Sequence, residues 1–137
     1  MTAHGYEGDV NPTEAWEMLA TQPGTVLVDV RTVDEWNHVG VPDTTDTGTP
    51  PVFVQWNTTT GHNANFIQDL RAQGVTSGPV LFICRSGQRS IGAARAATAA
   101  GIGPAYNVTQ GFEGGIDPTG RRGTTGWKAA GLPWRQS

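Results

Sequence analysis

Val80-Leu81-Phe82-Ile83-Cys84-Arg85-Ser86-Gly87-Gln88-Arg89-Ser90 joins an apolar run to an alanine-rich one, Ile91 to Ala100. The apolar half reads as a buried strand and the alanine run as a helix. Their junction holds the only cysteine of the chain, two arginines and a glycine. A thiol at this place faces the free N–H groups of the helix's first turn. Those donors and the helix dipole favour an anion, a thiolate included. Gly87 lets successive N–H groups turn inward. Arg85 and Arg89 offer charge-assisted hydrogen bonds. Ser86 and Ser90 add hydroxyls, and Ser90 is placed to cap the helix. The competing reading is a small, inert core cysteine. The polar run from Arg85 through Gln88 to Ser90 speaks against it, and the stretch reads as one reactive sulfur beside an anion site.

Outward from this junction, strand and helix patterns alternate. Asn11-Pro12-Thr13-Glu14 is a helix start: a capping Asn, Pro at the first helical position, Glu three residues after the cap. That helix runs to about residue 21. Thr25 to Val30 reads as a strand buried on both faces, Arg31 to His38 as a short helical segment, and Gly40 to Pro51 as loop. Residues 52–56 form a second strand. Asn63 to Gln73 is a helix with Phe66, Ile67 and Leu70 on one face. Gly78 to Cys84 is the third strand, Ser90 to Ala100 the next helix, and Pro104 to Val108 a further strand. Six glycines at 111, 114, 115, 120, 123 and 126 mark a loop, and Trp127 to Ala130 reads as a last short helix ended by Gly131 and Pro133. The expectation is an α/β fold with a mostly parallel central sheet and helices on both faces. Ligands bind such sheets beyond the carboxyl ends of the strands. Asp29, Arg31 and Cys84 all fall at such ends.

With 137 residues, the chain suits one domain with a real core rather than two. A net charge of −3 and a pI near 5.5 argue against general nucleic-acid binding. No apolar run approaches the ~20 residues of a membrane span. The start, Met1-Thr2-Ala3-His4-Gly5, lacks the features of a signal peptide. One cysteine cannot form an internal disulfide, so the expected setting is the reducing cytoplasm. His4, His38 and His62 lack ligand spacing for a metal and read as surface residues. No cofactor is expected.

Cys-dependent phosphatases place five residues between cysteine and arginine; here four separate Cys84 from Arg89. This tighter loop resembles the active-site loop of the rhodanese family of sulfurtransferases. Leu27-Val28-Asp29-Val30-Arg31 looks like the family's strand ending in Asp-x-Arg. Asp34-Glu35-Trp36 with Gly40-x-Pro42 resembles the acidic-aromatic signature after it. Gly111-Phe112-Glu113-Gly114 with Trp127-Lys128-Ala129-Ala130-Gly131-Leu132-Pro133 resembles the C-terminal signature. The chain departs from the family in two places. Gly40-Val41-Pro42 is one residue shorter than the usual Gly-His-Ile-Pro and lacks its His. Gly115 to Gly126, with Arg121 and Arg122, is an insertion.

The resemblance implies a rhodanese-like fold and covalent, ping-pong sulfur transfer. Cys84 would take the outer sulfur of a small anionic donor such as thiosulfate. A thiol, cyanide or a protein would accept it from the persulfide, with neither nucleic acid nor membrane involved. Arg89 would close the loop and Arg85 meet an incoming sulfonate. Asp29 orients the loop or Arg31, or caps a turn. Arg31 lines the pocket, is solvated just past its strand, or, as the resemblance favours, forms a structural ion pair near the site. Trp36 walls the pocket or packs in the core. Arg121 and Arg122 read as a solvated loop, with a cationic flap as the rival. For any thiol, a pKa moved from ~8.5 to ~6 raises the thiolate fraction at pH 7 about 30-fold. The accompanying loss of nucleophilicity is about 13-fold, leaving about a twofold gain. The larger contribution of such a loop is therefore to stabilise the anionic donor, the transition state and the persulfide.

Overall fold

The structure is a computed structural model and describes residues 5–136. The signal-peptide reading and His4 fall on residues 1–4 and lie outside the described residues.

Five strands form one sheet: β1 (Gly8–Val10), β2 (Val26–Asp29), β4 (Val52–Phe53), β7 (Val80–Ile83) and β8 (Ala105–Val108). Their order is β1-β8-β7-β2-β4, and every neighbouring pair is parallel. After β2 the chain adds β4 on one side, then crosses to build β7 and β8 on the other. The two directions part between β2 and β7, the place at whose carboxyl end ligands bind in such sheets. Asp29 pairs with Ile83 across that gap, so Val30-Arg31 and Cys84-Arg85 leave the sheet side by side.

Side-chain alternation sorts the core onto two faces. Val28, Val30, Phe82 and Cys84 pack with Phe66 and Leu70 of α3 (Phe66–Ala72) and with Ala93, Ala94 and Ala97 of α4 (Arg89–Ala99). Leu27, Leu81 and Ile83 pack on the other face with Ala15 and Leu19 of α1 (Pro12–Thr21), and with Phe112 and Trp127. Burying each such large apolar side chain contributes about 1.5–3 kcal/mol. Two-residue parity thus decides that Cys84 points, like Phe82, to the α4 face. Small alanines on α4 let that helix lie close to the sheet, and a Cβ on Gly92 would stand 2.9 Å from the Trp56 ring.

Several elements differ from expectation. The short helix after β2 is α2 (Val33–Val39), starting two residues late, because Thr32 caps it and shares a capping box with Glu35. Residues 127–130 form no helix. Bonds from the Ala130 amide to the Gly126 carbonyl and from the Gly131 amide to the Lys128 carbonyl make turns only, and Gly131 leaves them at φ 76°. The stretch 40–51 is not all loop: β3 (Val41–Pro42) pairs antiparallel with β9 (Trp134–Arg135). Residues 57–62 make a small hairpin of β5 (Asn57–Thr58) and β6 (Gly61–His62). Strand β1 carries no sequence signal, because Gly8-Asp9-Val10 is a three-residue edge strand with no apolar run to announce it.

Candidate active site

The loop from Cys84 to Ser90 closes around the sulfur. Gly87 N donates to Cys84 Sγ at 3.2 Å and Ser90 N donates to it at 3.4 Å. Gly87 holds φ 100°, a conformation that L side chains rarely adopt and that turns its amide toward the sulfur. No side chain caps α4 at Gln88. The sulfur takes one of the orphan amides of the first turn instead. Ser90 therefore does not act as the cap: it lies inside the helix, and its hydroxyl serves Asn107 while standing 3.2 Å from Sγ.

The loop is braced from behind by residues 111–114. Phe112 N donates to the Cys84 carbonyl at 2.8 Å, and Glu113 N and Gly114 N donate to the Arg85 carbonyl at 3.0 and 3.2 Å. With those carbonyls engaged, the amides that follow are left for the sulfur. Gly111 approaches so closely that a Cβ there would stand 2.5 Å from the Cys84 carbonyl oxygen. Trp127 N donates to Gly111 O at 2.8 Å and anchors the brace in the core.

Both arginines of the loop have carboxylate partners. Arg89 grips Glu35 through two bonds, Nη1 to Oε1 at 2.7 Å and Nη2 to Oε2 at 2.9 Å. Burial pushes the Glu35 carboxyl up, but the bonds from Arg89, followed by those from Thr32, outweigh it and hold it below its ordinary value. The same pairing raises Arg89. Arg85 is exposed, with Nε 3.2 Å from Glu113 Oε2 in an ion pair without hydrogen-bond alignment. Glu35 and Glu113 were not singled out from sequence as site residues. The offset from Thr32, which sets Glu35 as a capping-box partner, was the signal available for the first.

The remaining candidates fall in different places. Asp29 and Arg31 are fully buried and pair with each other. Arg31 Nη2 donates to Asp29 Oδ2 at 2.7 Å and to Gly40 O at 2.8 Å, and the guanidinium lies 4.3 Å over the Phe112 ring. Asp29 also accepts from Arg31 N at 3.0 Å. Trp36 stands edge-on to Phe53 at 5.2 Å. The two clefts it borders, of about 330 and 240 Å³, contain none of residues 84–90. Ser86 is half-buried and Gln88 exposed. In the insertion, Arg121 is exposed, while Arg122 donates to Gly114 O at 2.8 Å and lines a cleft of about 320 Å³ with Glu113 and Lys128. His38 and His62 are exposed. Among the described residues no helix is long and apolar enough to cross a membrane.

Parallel strands feeding a cysteine loop at a helix N-terminus define a class, and comparison with known proteins names it. Residues 11–117 match the rhodanese-like domain; the chain belongs to the rhodanese-like domain family. The crystal structure of Rv0390 from M. tuberculosis is 56% identical, with a TM-score of 0.88 over 96% of this chain and 99% of that one. An uncharacterized protein of Rickettsia conorii is 35% identical over 90% of this chain and 93% of its own length. The polysulfide-sulfur transferase homodimer from Wolinella succinogenes is 23% identical, with a TM-score of 0.62 over 96% of this chain and 79% of that one, and shares the fold.

Proposed function

We propose that this chain is a single-domain sulfurtransferase of the reducing cytoplasm that carries sulfane sulfur on Cys84. The observation that carries the reading is the cradle at Cys84 Sγ. Two backbone amides converge on it at 3.2 and 3.4 Å, at the mouth of α4 and in a loop with four residues between Cys84 and Arg89.

In the first half-reaction the Cys84 thiolate attacks the outer sulfur of a thiosulfate-type donor. The donor's S–S bond breaks and its electron pair leaves with sulfite. The product is a Cys84 persulfide, whose terminal anion has the loop amides and the α4 dipole as partners. In the second half-reaction an acceptor thiolate or cyanide attacks the terminal sulfur and the Cys84 thiolate departs. The acceptor becomes a persulfide or thiocyanate. No metal or organic cofactor takes part in either step. Cys84 is 1% exposed, so the reading requires the loop to open enough to admit one sulfur atom.

A second reading is favoured by the same burial, together with the pairing of both loop arginines: a sulfur carrier whose acceptor is one protein partner. One measurement separates the readings. Intact mass is recorded after incubation with thiosulfate, then after cyanide or a thiol. The lead reading expects gain of one sulfur atom, loss of that gain in Cys84→Ser, and repeated turnover. Gain without turnover on any small acceptor selects the carrier. No gain, with hydrolysis of an aryl phosphate instead, rejects both.

A further inference from the structure

Asn107 on β8 is 2% exposed, and its amide is held from both sides. Its Nδ2 donates to Asp9 Oδ1 at 3.1 Å, and Tyr6 Oη donates to the same oxygen at 2.9 Å. On the other side Asn107 Oδ1 accepts the hydroxyl of Ser90, whose oxygen stands 3.2 Å from Cys84 Sγ. Asp9 and Asn107 are Cα partners in the β1–β8 ladder, so the register itself sets the carboxylate against the amide.

The direction of every bond follows by elimination. An Asp9 carboxylate only accepts, so Asn107 turns its NH₂ toward it and its carbonyl toward Ser90. Ser90 has one hydroxyl proton, and Asn107 Oδ1 takes it. Toward the sulfur Ser90 then presents lone pairs, which suit an S–H and repel a thiolate. To serve a thiolate, Ser90 must rotate its proton to sulfur and leave the buried Asn107 oxygen without a partner.

We propose that Asp9, acting through Asn107 and Ser90, is a positioning residue that holds the Ser90 hydroxyl proton on Asn107 and away from Cys84 Sγ, and so opposes the thiolate. The chain opposes the Gly87 and Ser90 amides and Arg89, all of which favour the anion. Arg89 reaches the sulfur's field from α4, with Asp29 beyond it, and Arg95 lies 5.9 Å from the Tyr6 ring. The inference concerns the sulfur's protonation whatever its donor, so its failure is distinguishable from failure of the sulfur-transfer reading.

The test is the pH profile of iodoacetamide alkylation of the full chain. In Asp9→Asn the charge that fixes the Asn107 amide is gone and an amide offers both donor and acceptor, so Asn107 is free to turn, present NH₂ to Ser90 and release its proton for the sulfur. The midpoint is expected to fall by about half a unit to one unit. The rate on the acid side then rises about two- to fourfold while the alkaline plateau falls about two- to threefold, because a less basic thiolate is a weaker nucleophile. A merely loosened structure moves both limbs together. Tyr6→Phe removes a donor from Asp9 Oδ1, tightens its hold on Asn107 and moves the midpoint upward. On a Ser90→Ala background, which removes one oxygen, the Asp9→Asn shift disappears. Profiles that superimpose, or an equal Asp9→Asn shift without the Ser90 hydroxyl, overturn the proposal.

Discussion

The guanidinium of Arg89 bonds both oxygens of Glu35, at 2.7 and 2.9 Å, across 54 residues of sequence. Glu35 Oε1 also accepts from the Thr32 amide at 3.2 Å. One carboxylate therefore caps α2 and clamps the first residue of α4, tying the end of the sulfur loop to the helix that follows β2.

Removing that charge by Glu35→Gln leaves Arg89 half-buried with one weak acceptor. The two side chains are 20% and 25% exposed, so the loss lies between a surface and a buried pair, about 1–2 kcal/mol. Urea denaturation should show a lower midpoint with an unchanged slope.

The same pair sets an acid limb of stability. The folded Glu35 carboxyl titrates below its ordinary value of 4.5. Its contribution is therefore complete above the unfolded value and is lost as pH falls through the depressed folded one. Thermal melts of the parent should decline below about pH 4.5 more steeply than those of Glu35→Gln. Parallel curves would exclude this pair as a source of the limb.

Gly87→Ala tests the cradle. Its φ of 100° strains any L side chain by about 1–2 kcal/mol, and a Cβ would meet the Gln110 amide nitrogen at 3.3 Å. Relief by loop rotation withdraws the amide from Sγ. Sulfur loading from thiosulfate should slow about tenfold or more, followed by mass spectrometry over time.

On the proposed reading, Glu113, 3.2 Å from Arg85, competes with an anionic donor for it. Glu113→Gln should lower the thiosulfate KM by up to about fivefold, the range of an exposed ion pair, with kcat nearly unchanged. Arg85→Ala should raise KM, and added salt should shrink both effects. Equal KM values at low salt would remove Arg85 from donor binding.

Trp127 is fully buried, 5.9 Å from Trp16, and its Nε1 donates to Pro133 O at 2.7 Å. Trp127→Ala should cost about 3–5 kcal/mol. Because Trp127 also anchors Gly111 behind the sulfur loop, loading should slow even where the fold survives.

What the sequence determined by itself is local. The apolar run at 80–83, the cysteine-to-arginine count and the Asn11 cap are readable because strand, loop and helix signals act within a few residues. The tertiary structure decided the partners. Arg89 meets Glu35 because β2 and β7 are neighbours, and Asn107 meets Asp9 across 98 residues because an edge strand too short to announce itself pairs with β8. Sheet order depends on the burial of whole faces rather than on any one segment. For that reason the sulfur and its loop could be located from the sequence, while Glu35, Asp9 and Asn107, which hold Arg89 and Ser90, appeared only once the strands were laid side by side.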